Sequence, residues 1–325
     1  MLKVKKLIFA ILIFFIAINF LIFSAEYILR FIGLGQMPLY QTNLSYRYYL
    51  KPNQNLKRLE GKKIIINDLG LRANENWIDN NSKKILFYGD SVTYGGGYID
   101  NDEIFSNLVC EKLNGKIKNF TCGNAGVNGY GTDNILNRMI YGDIHDEKFL
   151  VLTLIGGSAF RSLVNIGSTP TFTETPKYFP ALKEFIYWML WKTMNKLRKN
   201  DWWFEGQIDK NYLVAKKSLK NLNEHLNLLS SKKNVIVILH PNKEQLDKVN
   251  DTNKKNLVIK YNLLKEIFLN PENKFYRVNL ENYLVKENYD KFYYDDIHLS
   301  LEGHNYLSDI IYKEINKVLK QNNDN

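Results

Sequence analysis

The apolar and polar positions divide the chain into one long apolar run near the N-terminus and a later alternation of shorter segments. Residues 7–25 are almost continuously apolar and follow three lysines. A run of this length can cross a bilayer, and the lysines before it favour a cytoplasmic N-terminus with the rest of the chain exported. A cleaved signal peptide is the alternative, but bulky Phe23 stands where cleavage after Ala25 requires a small residue. We therefore expect residues 1–33 to form a cytoplasmic tip and an uncleaved transmembrane anchor.

From residue 81 to the C-terminus, apolar runs of strand length alternate with segments of helical periodicity. The predicted strands cover residues 85–88, 117–121, 150–155, 235–239 and 275–278, and the predicted helices cover residues 104–113, 133–141, 212–229, 254–269 and 301–319. This alternation is typical of an α/β domain with a parallel sheet and helices on both faces, here over residues 81–325. Active sites of such domains lie at the carboxyl ends of the strands.

Two segments depart from the alternation. Residues 34–80 contain a strand candidate at 62–66 and several turn residues, and we predict a juxtamembrane lead-in with a short hairpin. An aromatic-rich insertion near residues 160–207 holds four of the five tryptophans, Trp188, Trp191, Trp202 and Trp203. Two interpretations stay open for it: a cap that stacks on sugar rings or enters the membrane surface, or a helix whose aromatic side chains pack on the domain.

The chain is basic, with 44 lysines and arginines against 34 acidic residues and a formal net charge of +10. Much of the excess falls in helical segments, where solvated helix faces explain it, and no nucleic-acid motif accompanies it. We therefore predict no nucleic-acid partner, whereas attraction to anionic lipid headgroups or glycans is physically reasonable. The histidines show no metal-ligand spacing, so we predict neither a metal nor a cofactor. Cys110 and Cys122 can form one disulfide in an oxidising compartment if their geometry allows it.

The first candidate for chemistry is the segment Gly89-Asp90-Ser91. Ser91 follows the apolar run 85–88, so it lies where a predicted strand ends in a sharp turn. The glycines at 95–97 keep bulk away from its hydroxyl, and a helix that begins nearby would direct free backbone N–H groups at an oxyanion formed there. The turn is a plausible position for a nucleophilic serine, and a serine in an ordinary strand-to-loop turn has the same local sequence, so the motif alone leaves both alternatives open.

A base for this serine is predicted near the C-terminus, in the segment Asp295-Asp296-Ile297-His298. A catalytic histidine needs a carboxylate on one ring nitrogen to fix its tautomer and to leave the other nitrogen for the serine proton. Asp295 lies three positions before His298, a spacing that can supply both groups from one turn. Asp296 is a rival for the role of the carboxylate, and the sequence does not separate the two.

Three blocks of the sequence resemble the SGNH (GDSL-type) hydrolase family. They are Gly-Asp-Ser-Val-Thr-Tyr-Gly at 89–95, Asn-Ala-Gly-Val-Asn-Gly-Tyr-Gly at 124–131 and Asp-Asp-Ile-His at 295–298, in the family's order. The resemblance implies a three-layer, flavodoxin-like α/β fold with a parallel sheet.

The resemblance also implies a role for each candidate residue. Ser91 would be the nucleophile, His298 the base and Asp295 its orienting carboxylate. The backbone N–H groups of Ser91 and Gly129 would bind the oxyanion. The family's third block is altered: instead of Gly-x-Asn-Asp the chain has Gly-Gly-Ser-Ala at 156–159, so the asparagine amide is missing and Ser158 is the candidate to donate in its place. Losing such a donor costs other enzymes about 10²- to 10³-fold in rate.

The resemblance implies a serine esterase, and the predicted anchor places its catalytic domain at the membrane and outside the cytoplasm. The expected substrates are carboxylic esters, above all O-acyl (O-acetyl) groups of a cell-surface glycan. Two alternatives on the same fold are a glycan O-acetyltransferase and a glycan-binding protein with impaired catalysis. A lipid esterase is a further alternative, supported by the aromatic insertion and the basic surface.

Overall fold

The computed structural model describes residues 2–77, 82–117, 119–167, 171–198, 208–246, 252–284 and 286–321. The strands are β1 Tyr40–Asn43, β2 Arg47–Leu50, β3 Gln54–Lys57, β4 Lys63–Ile66, β5 Lys83–Tyr88, β6 Phe120–Asn124, β7 Phe149–Ile155, β8 Asn234–His240 and β9 Tyr276–Asn279. The helices are α1 Leu2–Phe31, α2 Ser91–Tyr94, α3 Phe105–Asn114, α4 Thr132–Tyr141, α5 Gly156–Ala159, α6 Pro180–Arg198, α7 Ile208–Leu229, α8 Lys243–Leu246, α9 Thr252–Phe268, α10 Lys286–Phe292 and α11 Leu301–Gln321. Short 3-10 helices cover Leu59–Gly61, Asn101–Glu103 and Leu280–Asn282.

Five parallel strands form the central sheet in the order β6-β5-β7-β8-β9. β5 lies between β6 and β7, with Phe87 opposite Asn124 on one side and Val151 on the other. Numbered from the first strand of the sheet, this is the 2-1-3-4-5 order of flavodoxin-like folds. β7 is buried along its whole length, as expected for a parallel strand that is covered on both faces.

Alternate side chains of β5 enter two different cores. Leu86 and Tyr88 belong to a cluster with side chains of α4, α7 and α9, whereas Ile85 and Phe87 belong to a cluster with side chains of α3, α10 and α11. Helices therefore cover both faces of the sheet, and the predicted α/β fold class with three layers is confirmed.

The strand at the edge of the sheet begins later than the sequence predicts. β6 begins at Phe120, whereas the apolar pattern predicts a strand at 117–121. Ile117 lies in the turn that ends α3, because its backbone N–H donates to the carbonyl oxygen of Leu113 at 2.8 Å, and its side chain is exposed. The strand prediction fails there because an apolar side chain at a helix end has the same appearance in sequence as the first residue of a strand.

The N-terminal helix α1 is long and apolar enough to cross a membrane by its length and composition. The most apolar 18-residue window within Lys3–Phe31 has a mean hydropathy of 2.9, and none of that window is buried against the rest of the chain. A signal sequence shares these features, so the anchor and the outward orientation of the domain stay predictions.

The lead-in before β5 and the insertion after β7 have their own local structure. The lead-in contains two antiparallel hairpins, β1-β2 and β3-β4. The insertion contains α6, on which Trp188 and Trp191 lie, whereas Trp202 and Trp203 lie outside the described residues. Trp188 is 45% exposed, so its ring is only partly packed on the domain. The division of the chain after residues 33 and 80 stays a prediction.

A disulfide joins Cys110 of α3 to Cys122 of β6, with a Cα–Cα distance of 5.8 Å. It fixes the helix on the strand next to β5, and it fits a domain that folds in an oxidising compartment. The two cysteines are 12 positions apart in sequence, so the bond closes a short loop in the unfolded chain.

We expect replacement of both cysteines by serine to lower the free energy of unfolding by about 2–4 kcal/mol, because the unfolded chain regains the entropy of that loop. Urea unfolding followed by circular dichroism measures the change. Reducing agent provides the matched control, since it should destabilise the wild type and leave the double variant unaffected. Equal unfolding midpoints for the two proteins without reductant would contradict the stabilising role of this disulfide.

Candidate active site

The turn that carries Ser91 lies at the carboxyl end of β5. β5 ends at Tyr88, and α2 begins at Ser91, with Asp90 as its N-cap residue. Only glycine fits at position 89, because an added Cβ would lie 2.0 Å from Oγ1 of Thr93. The chain therefore turns sharply out of the sheet and leaves the Ser91 side chain partly accessible at its edge.

Asp90 fixes this turn through both of its carboxylate oxygens. Oδ1 accepts a hydrogen bond from the backbone N–H of Val92 at 3.0 Å, which caps the short helix. Oδ2 accepts from Nη2 of Arg161 at 2.8 Å, and both side chains of this ion pair are almost fully buried. Arg161 also donates from Nε to the carbonyl oxygen of Gly157 at 3.2 Å. The chain after β7 is thus bonded directly to the residue that precedes Ser91.

The structure brings Ser91, His298 and Asp295 together in one hydrogen-bonded chain. Oγ of Ser91 lies 2.9 Å from Nε2 of His298, although the two residues are 207 positions apart in sequence. Nδ1 of His298 lies 2.8 Å from Oδ2 of Asp295. An ionised carboxylate only accepts hydrogen bonds, so Nδ1 of a neutral His298 carries the proton and Nε2 presents its lone pair to the serine hydroxyl.

Asp295 is held as a carboxylate by the groups around it. Partial burial acts to raise its pKa, but the hydrogen bonds from the His298 ring and from the backbone N–H groups of His298 and Ile297 outweigh that effect and lower the pKa to about 2. Oδ1 accepts those two backbone bonds at 2.7 and 2.9 Å. Asp295 therefore orients both the loop and the imidazole ring.

The rival carboxylate, Asp296, forms no hydrogen bond or ion pair with the histidine. Its side chain is exposed, and within the described part of the chain it forms no hydrogen bond or ion pair. Its backbone carbonyl oxygen accepts a hydrogen bond from the N–H of Lys243 at 2.9 Å. Of the two aspartates, only Asp295 has the geometry to orient His298.

The backbone N–H groups of Ser91 and Gly129 are the predicted oxyanion donors. Among the described residues, the N–H groups of Ser91 and Gly129 have no hydrogen-bond acceptor. The loop that contains Gly129 is packed against α2, because Nδ2 of Asn124 donates to the carbonyl oxygen of Thr93 at 2.6 Å and Oδ1 of Asn124 accepts from the N–H of Gly126 at 2.9 Å. These bonds keep the second block of the sequence beside the first.

Ser158 is buried in α5, directly after β7, and its hydroxyl already forms a hydrogen bond. Oγ of Ser158 donates to the carbonyl oxygen of Ile155 at 2.8 Å. A hydroxyl has a single hydrogen to donate, so in this rotamer Ser158 has none left for an oxyanion. The predicted donor role of Ser158 would require a different rotamer from the one in the structure.

Arg72, in the lead-in, holds the loop that follows Ser91 and α2. Its guanidinium is fully buried and donates to the backbone carbonyl oxygens of Tyr94, Gly96 and Ile99 at 2.9, 2.6 and 2.6 Å. Nε donates to Oδ1 of Asn101 at 3.0 Å. One side chain from outside the sheet therefore fixes the whole glycine-rich loop, a role for which the sequence contains no local signal.

The first hairpin of the lead-in supports the loop that contains Gly129. The hydroxyl of Tyr48 on β2 donates to the carbonyl oxygen of Asn128 at 2.8 Å, and Nδ2 of Asn128 donates to the hydroxyl of Tyr40 on β1 at 3.2 Å. Tyr48 and Tyr40 are both buried. Residues of the lead-in therefore hold the loop that contains Gly129 as well as the glycine-rich loop after Ser91.

His240, at the end of β8, holds the loop between Asp295 and His298. Its Nε2 lies 2.8 Å from the carbonyl oxygen of Ile297, and because that oxygen only accepts, Nε2 carries the hydrogen and donates. Burial lowers the pKa of His240 to about 4, so the ring is neutral at neutral pH. The spacing of His240 in the sequence indicates no metal site, and its position directly after the predicted strand 235–239 is the signal that could have identified its role.

Within the described ranges, no group of three or more histidine, cysteine, aspartate or glutamate side chains is placed to hold a metal ion.

Comparison with known proteins gives structural matches only. No family model matches the chain, and no curated protein matches it. An acetyl xylan esterase from Geobacillus stearothermophilus is 16% identical over 73% of this chain and 95% of its own, with a TM-score of 0.46. A lipase/acylhydrolase from Enterococcus faecalis is 18% identical over 72% and 95% of the two chains, with a TM-score of 0.43.

A third solved structure, a member of the lipolytic protein G-D-S-L family from Veillonella parvula, is 14% identical over 70% of this chain and 94% of its own, with a TM-score of 0.40. These identities and TM-scores are low, so the fold is assigned from the strand order of the sheet and from the position of Ser91 at the end of β5. The chain has the flavodoxin-like α/β fold that its resemblance to the SGNH hydrolases implies.

Proposed function

We propose that the chain is a membrane-anchored serine ester hydrolase of the SGNH type, with Ser91 as nucleophile, His298 as base and Asp295 as the carboxylate that orients the base. The observation that carries this proposal is the continuous hydrogen-bonded path from Ser91 Oγ through His298 to Asp295, with steps of 2.9 and 2.8 Å. Both distances are those of hydrogen bonds, and the 2.9 Å distance between Ser91 Oγ and His298 Nε2 lies within the range for proton transfer from a serine to a histidine.

In the proposed acylation step, Ser91 Oγ attacks the carbonyl carbon of the ester and its proton passes to Nε2 of His298. The negative charge moves to the carbonyl oxygen, where the N–H groups of Ser91 and Gly129 stabilise it. When the tetrahedral intermediate collapses, the bond to the alcohol oxygen breaks and Nε2–H returns the proton to the leaving alcohol. Asp295 stabilises the imidazolium that exists between these two proton transfers.

In the proposed deacylation step, water attacks the acyl-Ser91 ester after giving a proton to Nε2 of His298, and the carboxylic acid leaves as Ser91 recovers its hydrogen. If a sugar hydroxyl takes the place of water, the same steps transfer the acyl group to the sugar. The hydrolase and transferase alternatives therefore differ in the acceptor and share the three residues.

The proposed substrate is an O-acyl, chiefly O-acetyl, ester on a cell-surface glycan. The support is the predicted location of the domain. Three lysines precede the apolar residues 7–25 of α1, which favours a domain outside the cytoplasm, and the disulfide between Cys110 and Cys122 fits the same side. Polymers exposed on that side carry hydroxyl groups that are commonly acylated, and the anchor would keep the domain close to them.

The test is to treat the full-length protein in detergent with a serine-directed alkyl phosphonate and to locate the adduct by peptide mass spectrometry. We expect an adduct on Ser91 and none on Ser91→Ala.

Acetate release is then measured from an acetylated oligosaccharide and compared with release of fatty acid from a long-chain lipid ester. Absence of any adduct together with retained glycan binding would contradict catalysis and favour the binding alternative, and preference for the lipid ester would overturn the glycan substrate.

His240 gives a prediction about positioning. We expect His240→Leu to lower kcat for ester hydrolysis by about 10-fold or more with little change in KM, because the Ile297 carbonyl loses its buried donor and His298 is less well placed. His240→Gln is the matched control, since its amide can donate to the same oxygen and should restore most of kcat. Steady-state kinetics at neutral pH measure both variants, and equal kcat values for His240→Leu and the wild type would contradict the positioning role.

Ser158 gives a prediction about the oxyanion site. Since its hydroxyl donates to the Ile155 carbonyl, we expect Ser158→Ala to lower kcat by less than about 10-fold, against the 10²- to 10³-fold loss of about 3–4 kcal/mol that follows removal of a true oxyanion donor. The same kinetic assay measures it, with thermal unfolding as a check of folding. A loss of the larger size in a folded variant would show that Ser158 rotates to bind the oxyanion.

A further inference from the structure

One face of the structure is unusually apolar for a domain surface, and it lies on α6. Every residue from 185 to 194 except Lys192 and Thr193 is apolar or aromatic. Phe185, Trp188 and Leu190 are 42%, 45% and 56% exposed, and Ile186, Met189 and Met194 are exposed as well. An apolar patch of this kind on a domain that is otherwise well packed indicates contact with something outside the chain.

The start of α6 is bonded to the end of α1. The carboxylate of Glu26, on the last part of α1, accepts hydrogen bonds from the N–H groups of Ala181 and Leu182 at 3.3 and 2.8 Å. The rings of Phe23 and Phe179 meet edge to face beside this contact, with centroids 5.3 Å apart. The free amides of one helix are therefore capped by a side chain of the other.

A second bond fixes the same turn of α6 to the lead-in. Glu184 is buried and accepts from Nη2 and Nη1 of Arg58 at 2.6 and 3.1 Å and from the N–H of Gly35 at 2.7 Å. Because Gly35 follows α1 closely in the chain, both bonds hold the first turn of α6 at the end of α1 that adjoins the domain. The exposed apolar residues 185–194 follow directly from that turn.

We propose that residues 185–194 of α6 contact the lipid bilayer as a second, interfacial attachment beside α1. This inference rests on the proposed anchoring through α1 and goes beyond it. Where α1 leaves the bilayer, the headgroup region begins, and a helix bonded to that point lies at the same depth. Tryptophan and tyrosine rings, here Trp188, Trp191 and Tyr187, are favoured at that depth, and the exposed Lys192 fits anionic headgroups.

The consequence is a domain with restricted orientation. A single helix allows the domain to tilt and to rotate about its axis, whereas two contacts joined by Glu26 and Glu184 define one face toward the membrane. Insertion of the apolar side chains at 185–194 removes them from water, which favours this orientation.

The test uses the full-length chain in phosphatidylcholine–phosphatidylglycerol vesicles, with one introduced cysteine labelled by an environment-sensitive fluorophore. Both natural cysteines are disulfide-bonded, so the introduced thiol is the only one that reacts. Met189→Cys reports on the proposed contact. Phe20→Cys on α1 is the positive control, and Leu228→Cys is the matched negative control because Leu228 is an exposed apolar residue at the far end of α7.

We expect a nitroxide carried on the lipid to quench the labels at positions 189 and 20 and to leave the label at position 228 unquenched. Quenching at position 20 with none at position 189 would overturn the interfacial contact and leave the anchor intact. Quenching at neither position would overturn both the anchor and this inference. A blue-shifted label at position 189 without quenching would show a protein partner on this face, which also overturns the inference.

Discussion

Ser91→Ala is expected to lower kcat for hydrolysis of an acetyl ester by about 10³-fold or more while leaving KM close to its wild-type value. The reason is that the attacking atom is removed and the remaining site keeps its shape. His298 stays bonded to Asp295 at 2.8 Å, and the cap of α2 by Asp90 does not involve the Ser91 hydroxyl. Ground-state binding of the ester is therefore retained, and the loss falls on the chemical step.

The measurement is acetate release by the full-length protein in detergent, with Ser231→Ala as the matched control. Ser231 is exposed beyond the end of α7, and its hydroxyl donates only to the carbonyl oxygen of Leu228 at 2.7 Å. That control should retain wild-type activity. If Ser91→Ala kept wild-type activity, the nucleophile would have to be sought elsewhere. If the wild type bound glycan but released no acetate, the binding alternative would replace the esterase.

The parts of the site that could be predicted from sequence are those whose geometry is local. The turn at Gly89-Asp90-Ser91 is formed by neighbouring residues of the same segment. Asp295 and His298 lie on one loop and are hydrogen-bonded to each other. The meeting of Ser91 with His298 is not local, since it depends on β5 and on the loop before α11 ending at the same edge of the sheet. The alternation of strands and helices predicts that edge, and the family's block order predicts the pairing.

The supports of the site could not be predicted in the same way. Three side chains support the site by hydrogen bonds to backbone carbonyl oxygens of distant segments. They are Arg72, Tyr48 and His240. The sequence does not show which backbone carbonyl will accept such a bond, because every residue has one. Only the tertiary arrangement shows that the lead-in, which reads as an irregular connection, contributes the buried groups that hold two loops of the site.

The second large effect on kcat is expected at Asp295, the aspartate that is bonded to His298. We expect Asp295→Asn to lower kcat by about 10²- to 10⁴-fold. The asparagine oxygen can still accept the N–H bonds of Ile297 and His298, so the loop is kept, but the negative charge beside Nδ1 is lost. The asparagine amide also favours the tautomer with the hydrogen on Nε2, which cannot accept the proton of Ser91.

Asp296→Asn is the matched control, because it makes the same chemical change one position away on an exposed side chain. We expect its kcat to stay within about twofold to threefold of the wild type, as for other surface substitutions. Since the pKa of Asp295 is lowered to about 2, this carboxylate is ionised at every pH at which the enzyme is assayed. Acidification within the assay range therefore does not remove the orienting charge. A large loss in Asp296→Asn together with wild-type activity in Asp295→Asn would assign the orienting role to Asp296.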